Sequence, residues 1–145
     1  ALAHASDPGV GPRRWGNALE QSRRRGPGVI SMGEIRDRAT LEYAVSVAET
    51  GHLWVSTLHA NHANQALERI VNFFPEERRP QLLMDLSLNL AGILSQRLLP
   101  TKEGRGCAAI EEMLASLLVK DLILQGDLHA LQHLMEKTVE HGRMT

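Results

Sequence analysis

The stretch VISMG (residues 29–33) is a short, mostly apolar run that lies between turn-forming residues. This pattern is typical of a β-strand buried on both faces. A second run, LWVSTL (residues 53–58), predicts another strand, and helical spacing of apolar residues separates the two. Strand, helix, strand in succession favours a parallel sheet covered by helices, so the expected fold class is α/β.

The helix after the first strand is expected to begin at Asp37 or Thr40 and to stop at Gly51. A further helix is expected to begin at Asn61 or Asn64 after the second strand. Proline fits the first turn of a helix, so Pro75 is expected to open the next helix, which runs to about residue 97. The apolar faces predicted for these three helices are Leu41, Ala44, Val45 and Ala48; Ala63, Ala66, Leu67, Ile70, Val71 and Phe74; and Leu83, Leu86, Leu90, Ile93 and Leu94.

The remaining segments give weaker patterns. Residues 97–100 and 107–113 flank a turn and predict a hairpin, in which Cys107 is expected to be a small buried apolar residue. One helix is expected on each side of residues 126–127. Their apolar sets are Leu117, Leu118, Leu122 and Ile123 for the first, and Leu128, Leu131, Leu134 and Met135 for the second. Residues 1–14 predict an extended or disordered lead-in, and residues 15–25 have weak helical spacing that ends in three arginines.

Composition narrows the class of protein. The 145 residues carry 16 Lys and Arg against 17 Asp and Glu, a formal charge of -1, which argues against a generally basic nucleic-acid binder. Hydrophobic residues make up 43%, enough for a packed core. No apolar run approaches the roughly 20 residues that cross a bilayer. A single cysteine permits neither an internal disulfide nor a cysteine-based zinc site.

Polar residues follow both predicted strands. Ligands of open parallel sheets bind beyond the carboxyl ends of the strands, which directs attention to residues 33–36 and 57–61. His52, His59 and His62 do not predict a metal site, because no carboxylate stands in the usual register with them.

Three segments carry a resemblance to a known family: VISMGEIRD (residues 29–37), AETGHLWVSTLHAN (48–61) and NFFPEERRPQLLMDLSLNL (72–90). Together they resemble the secretion and type IV pilus ATPases, which are RecA-like hexameric motors. The resemblance is to the retraction branch, and to its PilU type more than its PilT type. It covers residues 15–145 and implies the C-terminal part of a RecA-like ATPase domain (15–113) followed by a truncated helical subdomain (114–145).

The resemblance implies two catalytic residues. Glu34 matches the Walker B glutamate, which polarises the attacking water in this family. Phosphoryl transfer needs a positioned water and charge compensation, and a carboxylate at the end of a strand can hold that water directly or through the Mg²⁺ shell. His59 matches the His-box histidine near the γ-phosphate, where it would sense the nucleotide or donate to it.

Four further residues are expected on the nucleotide side of the site, namely Gly33, Arg36, Thr57 and His52. Arg36 is expected either to pair with a carboxylate or to contact a neighbouring subunit. His52 precedes its strand, which favours a structural role. The implied cofactors are ATP and Mg²⁺.

The chain also departs from the family pattern. The phosphate-binding loop G-x-x-x-x-G-K-[ST] and the acidic Asp box are absent from the 145 residues, and Gly28 stands where the family usually has an aspartate. The segment LVKDLILQ (residues 118–125) replaces AIRNLIRE of PilT and lacks its second arginine, which favours the PilU type. We therefore expect a piece of a longer protein that does not hydrolyse ATP by itself.

The implied function is a part in a retraction motor that couples ATP hydrolysis to pilus disassembly in twitching motility. The implied partners are further copies in a homo-hexamer, a PilT-like ATPase and the inner-membrane pilus platform protein, with a cytoplasmic location at the inner membrane and no nucleic acid. A non-catalytic module that docks to an intact PilT-like ATPase is the alternative. Near-neutral charge and 3% aromatic residues count against a nucleic-acid motor.

Overall fold

The computed structural model describes residues 2–5, 28–102 and 104–140. The chain divides into two compact units, Ala1–Leu58 and His59–Thr145. The first unit contains β1 (Leu2–Ala5), β2 (Val29–Glu34), α1 (Arg38–Glu49) and β3 (Leu53–Thr57). The second contains α2 (Ala63–Asn72), a short 3₁₀ helix (Glu76–Arg78), α3 (Arg79–Asn89), β4 (Gly92–Pro100), β5 (Gly106–Leu114), α4 (Leu117–Gln125) and α5 (Leu128–Glu140).

The first unit is a parallel sheet with strand order β1-β2-β3, so β2 lies in the centre. Ile30 of β2 and Val47 of α1 are completely buried against each other, with Tyr43 and Trp54 packed beside them. The rings of Tyr43 and Trp54 meet edge to face, 5.8 Å apart. The predicted α/β class with a parallel sheet is confirmed.

Asp37 is the residue that caps α1, because its Oδ1 accepts a hydrogen bond of 2.8 Å from the Thr40 backbone amide. The predicted apolar face of this helix is correct for Leu41 and Ala44. Val47 completes the buried face, whereas the predicted Val45 and Ala48 are half-buried. The helix is therefore rotated slightly from the predicted face, towards Ile30 of the sheet.

In the second unit, α2 begins after His62 rather than after Asn61 or Asn64. Its first amide, that of Ala63, donates instead to the Glu111 carboxylate of β5 at 2.8 Å. The Asn64 side chain donates to Glu68 within the helix. An asparagine cap is unnecessary because a distant strand supplies the acceptor. Of the apolar face predicted here, Ala63, Ala66, Leu67, Ile70 and Phe74 are buried, whereas Val71 is half-buried.

The prediction that the next helix extends to residue 97 is wrong. α3 ends at Asn89, Leu90 has an extended backbone, and β4 pairs with β5 in a nine-residue antiparallel hairpin. The hairpin therefore begins five residues before the predicted start. The ladder pairs β4 with β5 along its whole length, and this tertiary pairing outweighs the local helical spacing of apolar residues. Cys107 is exposed on this hairpin, so its predicted burial is also wrong.

The two C-terminal helices are separated at Gly126, as predicted, and Gly126 adopts the left-handed conformation with φ of 70°. Leu131 and Ile123 are fully buried. Leu117 and Leu118 are 88% and 51% exposed, so their predicted place in the core is wrong. Val119 is buried instead, and α4 packs against α3.

Part of the N-terminal prediction concerns residues 6–27, which lie outside the described residues. The weak helix over 15–25 and its three arginines belong to that part. Within the predicted lead-in, Leu2–Ala5 forms β1 and pairs with β2. No described helix is long and apolar enough to cross a membrane.

Candidate functional site

The carboxyl end of β2 contains a β-bulge at Gly33. Met32 pairs with Ser56 and Glu34 pairs with Thr57, so Gly33 is one extra residue on β2. A bulge of this kind bends the strand and changes the direction of the side chains after it. A glycine inside a strand is the sequence signal for such a bulge.

The bulge decides which way Glu34 points. Ile30 and Met32 lie two residues apart and are both buried on the core face of β2. In a regular strand Glu34 would be the next residue on that face, because side chains alternate with a period of two. The extra residue shifts Glu34 into register with Thr57. The side chain of Glu34 is 17% exposed. The bulge therefore takes Glu34 out of the alternation that buries Ile30 and Met32.

Thr57 forms hydrogen bonds with both sequence neighbours of Glu34, Gly33 and Ile35. The Thr57 hydroxyl donates to the Gly33 carbonyl, and the Thr57 carbonyl accepts from the Ile35 amide at 2.9 Å. These bonds fix the backbone on both sides of the glutamate.

Arg36 completes this group. Its Nε donates to Glu34 Oε2 at 2.7 Å, and its side chain is 68% exposed. The structure thus brings together four of the six predicted site residues, Gly33, Glu34, Arg36 and Thr57, at the carboxyl end of the sheet. The group combines an oriented carboxylate with an accessible cation, which can hold a water and balance negative charge.

His52 lies elsewhere. It precedes β3 and is therefore at the amino end of the strand, whereas Glu34 and Thr57 are at the carboxyl end. Its Nδ1 is 3.0 Å from the hydroxyl of Thr50, the residue that ends α1. The geometry supports the structural role that its position before the strand favoured.

His59 belongs to the second unit and is exposed. Its backbone carbonyl accepts a hydrogen bond of 3.2 Å from Arg69 Nη1 of α2. This contact ties the segment before α2 to the body of the helix.

The sequence did not predict a polar cluster at the start of α2. Glu111 Oε2 accepts from the Ala63 amide and lies 3.8 Å from His62 Nδ1, while Arg97 Nη1 is 3.0 Å from His62 Nε2. The partners are 35 to 49 residues apart in sequence, so no local pattern predicts these contacts. Among the described residues, no group of three or more His, Cys, Asp or Glu is placed to hold a metal ion.

Comparison with known proteins gives the family. Residues 14–140 match the model of the family described as type II/IV secretion system protein. The chain belongs to this family. It is 52% identical over 129 residues to the type IV pilus ATPase PilU of Pseudomonas aeruginosa, covering 88% of the chain and 34% of that protein. It is 36% identical over 109 residues to the type IV pilus retraction ATPase PilT of the same organism, and this match covers 75% of the chain and 32% of PilT.

The fold also matches a solved structure. A crystal structure of the pilus retraction motor PilT with bound ADP superposes with a TM-score of 0.80 at 33% identity, over 94% of this chain and 44% of that one. The predicted resemblance to the PilT/PilU ATPases is confirmed, as is the α/β fold of the C-terminal part of a RecA-like domain. The chain spans about a third of the length of the curated relatives that it matches.

Proposed function

We propose that this chain supplies the water-activating part of an ATP-hydrolysing site in a pilus retraction motor of the PilT/PilU type. The observation that carries the proposal is the position of the Glu34 carboxylate. A bulge at the end of β2 brings Glu34 into register with Thr57, and Arg36 donates to its Oε2 at 2.7 Å. A carboxylate at that edge of a parallel sheet is well placed for a ligand bound beyond the strands.

The residues present fit one side of an MgATP site. They provide an acceptor for the attacking water and an accessible guanidinium, but the 145 residues contain no G-x-x-x-x-G-K-[ST] loop to cradle the phosphates. MgATP, when bound, supplies the phosphoryl group that reacts with water. The phosphate-cradling residues of the proposed site are therefore not among those of this chain.

Glu34 is the proposed catalytic residue. An ionised carboxylate offers about four lone-pair positions, so Glu34 can accept a hydrogen bond from water while Arg36 occupies Oε2. The water proton then passes towards the Glu34 carboxylate as the oxygen becomes nucleophilic. Arg36 and Gly33 are proposed to lie on the nucleotide side, and His59 to act as the phosphate-side sensor.

At the level of the whole protein, we propose a homo-hexamer that binds MgATP between subunits and drives pilus disassembly in twitching motility. It would act in the cytoplasm against the inner-membrane platform protein, with a PilT-like ATPase as a second partner. Residues 15–113 would form part of the ATPase core and residues 114–145 a helical subdomain. The names of the relatives as type IV pilus ATPases support this assignment.

A chimera tests the catalytic role. The segment of Pseudomonas aeruginosa PilU that matches this chain is replaced by the chain itself, so that the chain is joined to the rest of that ATPase. Phosphate release from ATP is then measured. Glu34→Gln should lower kcat by about 100-fold or more, because it removes the general base. Glu68→Gln is the matched control, since Glu68 is an exposed glutamate of α2. Equal activity of Glu34→Gln and the unmodified chimera would overturn the proposal.

The isolated chain gives a second test. It should show no ATP turnover above the background, because it carries no phosphate-binding loop. Turnover by the 145 residues alone that disappears in Glu34→Ala would contradict this expectation.

A docking module is the second candidate function. It is favoured by three leucines of α4 that remain exposed, Leu117 at 88% and Leu118 and Leu124 at 51% each. In this case the chain would co-sediment with an intact PilT-like ATPase, and Glu34→Ala would leave the co-sedimentation unchanged.

A further inference from the structure

We infer that Thr57 is a positioning residue for Glu34, and that it acts by clamping the bulge at Gly33 rather than by binding nucleotide. This inference rests on the proposed catalytic role of Glu34. It assigns to Thr57 a function different from the nucleotide contact expected from the sequence.

The clamp has two points of attachment, one on each side of the glutamate. The Thr57 side chain binds the carbonyl of Gly33, and the Thr57 backbone carbonyl binds the amide of Ile35. Glu34 is the residue between them and is the register partner of Thr57. Any change in the bulge therefore moves the Glu34 carboxylate directly.

Of the two hydrogen bonds in the clamp, a substitution at Thr57 removes only the one made by the side chain. The extra residue in a bulge has no partner in the ladder, so the Gly33 carbonyl depends on another donor. The Thr57 hydroxyl provides this donor from the neighbouring strand. Gly33 is exposed, so water can replace the hydroxyl at little cost in stability, but water does not fix the geometry of the bulge.

The same bond argues against a nucleotide contact. A threonine hydroxyl has one donor hydrogen, and Thr57 directs it at Gly33. Phosphate oxygens accept hydrogen bonds, so the committed hydroxyl is not available to donate to them. Loss of the hydroxyl should therefore affect the chemical step and leave ATP binding unchanged.

The test uses the PilU chimera with two variants of the same position. Thr57→Val keeps the shape but removes the hydroxyl, and Thr57→Ser keeps the hydroxyl. Misplacing a catalytic group by about 1 Å costs up to about 100-fold in rate, so Thr57→Val should lower kcat by about 10- to 100-fold with KM for ATP unchanged. Thr57→Ser should retain the kcat of the unmodified chimera, and the melting temperatures of all three should agree.

Each other result overturns the inference. An unchanged kcat in Thr57→Val removes the positioning role, and a raised KM with unchanged kcat makes Thr57 a nucleotide ligand. Equal loss of kcat in Thr57→Val and Thr57→Ser means that the hydroxyl is not the important group. Glu34→Gln is assayed in parallel. If Glu34→Gln remains active, the proposed function fails together with the inference. If Glu34→Gln is inactive while Thr57→Val keeps the kcat of the unmodified chimera, only the inference fails.

If the chimera does not assemble, hydrogen exchange in the 145-residue chain tests whether the Thr57 hydroxyl holds the bulge. The Ile35 amide should exchange faster in Thr57→Val than in the unmodified chain, and Thr57→Ser should restore its protection. Equal protection in Thr57→Val and the unmodified chain would show that the hydroxyl does not hold the bulge.

Discussion

Arg36 Nε donates to Glu34 Oε2 across 2.7 Å, two residues along the chain, just before Asp37 caps α1. The Arg36 side chain is 68% exposed, so this pair is screened by solvent and contributes little to folding. We propose that its importance lies in orientation, because a charge-assisted hydrogen bond holds the carboxylate oxygen that it contacts.

Replacing Arg36 should therefore separate activity from stability. In the PilU chimera we expect Arg36→Ala to lower kcat by about tenfold, equivalent to about 1.4 kcal/mol, as the carboxylate loses its orientation. Unfolding of the chain by urea should change by less than about 1 kcal/mol. Arg38→Ala is the control, since Arg38 pairs with Glu42 at 2.8 Å on the neighbouring helix. The expectation fails if both arginine variants reduce kcat equally.

Glu111 should stabilise the second unit as a cap supplied by a strand. Its carboxylate accepts from the first amide of α2, and loss of a helix cap costs about 0.5–2 kcal/mol. We expect Glu111→Ala to lower the free energy of unfolding by about that amount in urea denaturation followed by circular dichroism. Glu112→Ala, at the exposed neighbouring position, should change it by less than about 0.5 kcal/mol. Similar losses in the two variants would argue against the cap.

Gly92 is needed for the close approach of β4 to β5. A Cβ at this position would lie 2.9 Å from the Met113 carbonyl oxygen, which belongs to the backbone and cannot rotate away. We expect Gly92→Ala to destabilise the chain by about 1–3 kcal/mol, measured by thermal unfolding. Gly28→Ala has open space around its Cβ and should be nearly neutral. A neutral Gly92→Ala would mean that the hairpin tolerates the added carbon.

Two leucines of the C-terminal helices should respond in opposite ways to truncation. Leu131 is fully buried and Leu117 is 88% exposed. We expect Leu131→Ala to cost about 2–5 kcal/mol through lost burial and the cavity that remains, and Leu117→Ala to cost less than about 0.5 kcal/mol. Chemical denaturation of both variants measures the difference. A large loss in Leu117→Ala would instead indicate that this leucine is covered in solution.

The predictions that succeeded from the sequence are local. Asp37 and Gly126 have side-chain or backbone properties that mark the ends of helices wherever they occur. The predictions that failed depended on distant partners. The segment from Leu90 to residue 97 has helical spacing, yet pairing with β5 makes most of it a strand. The apolar helical set predicts burial of Leu117, and residue type predicts burial of Cys107, but both are exposed. Neither signal reveals the side that a neighbouring element covers.

The sequence by itself determined the alternation of strand and helix, the position of Glu34 after an apolar strand, and the motifs that resemble the pilus ATPases. These features follow from short-range periodicity and residue order. Only the tertiary structure decided that Gly33 forms a bulge, that Thr57 binds both neighbours of Glu34, and that Arg36 holds its carboxylate. The physical reason is that a glycine inside a strand permits a bulge, whereas strand register and hydrogen-bond partners are fixed by pairing between residues 24 positions apart in the sequence.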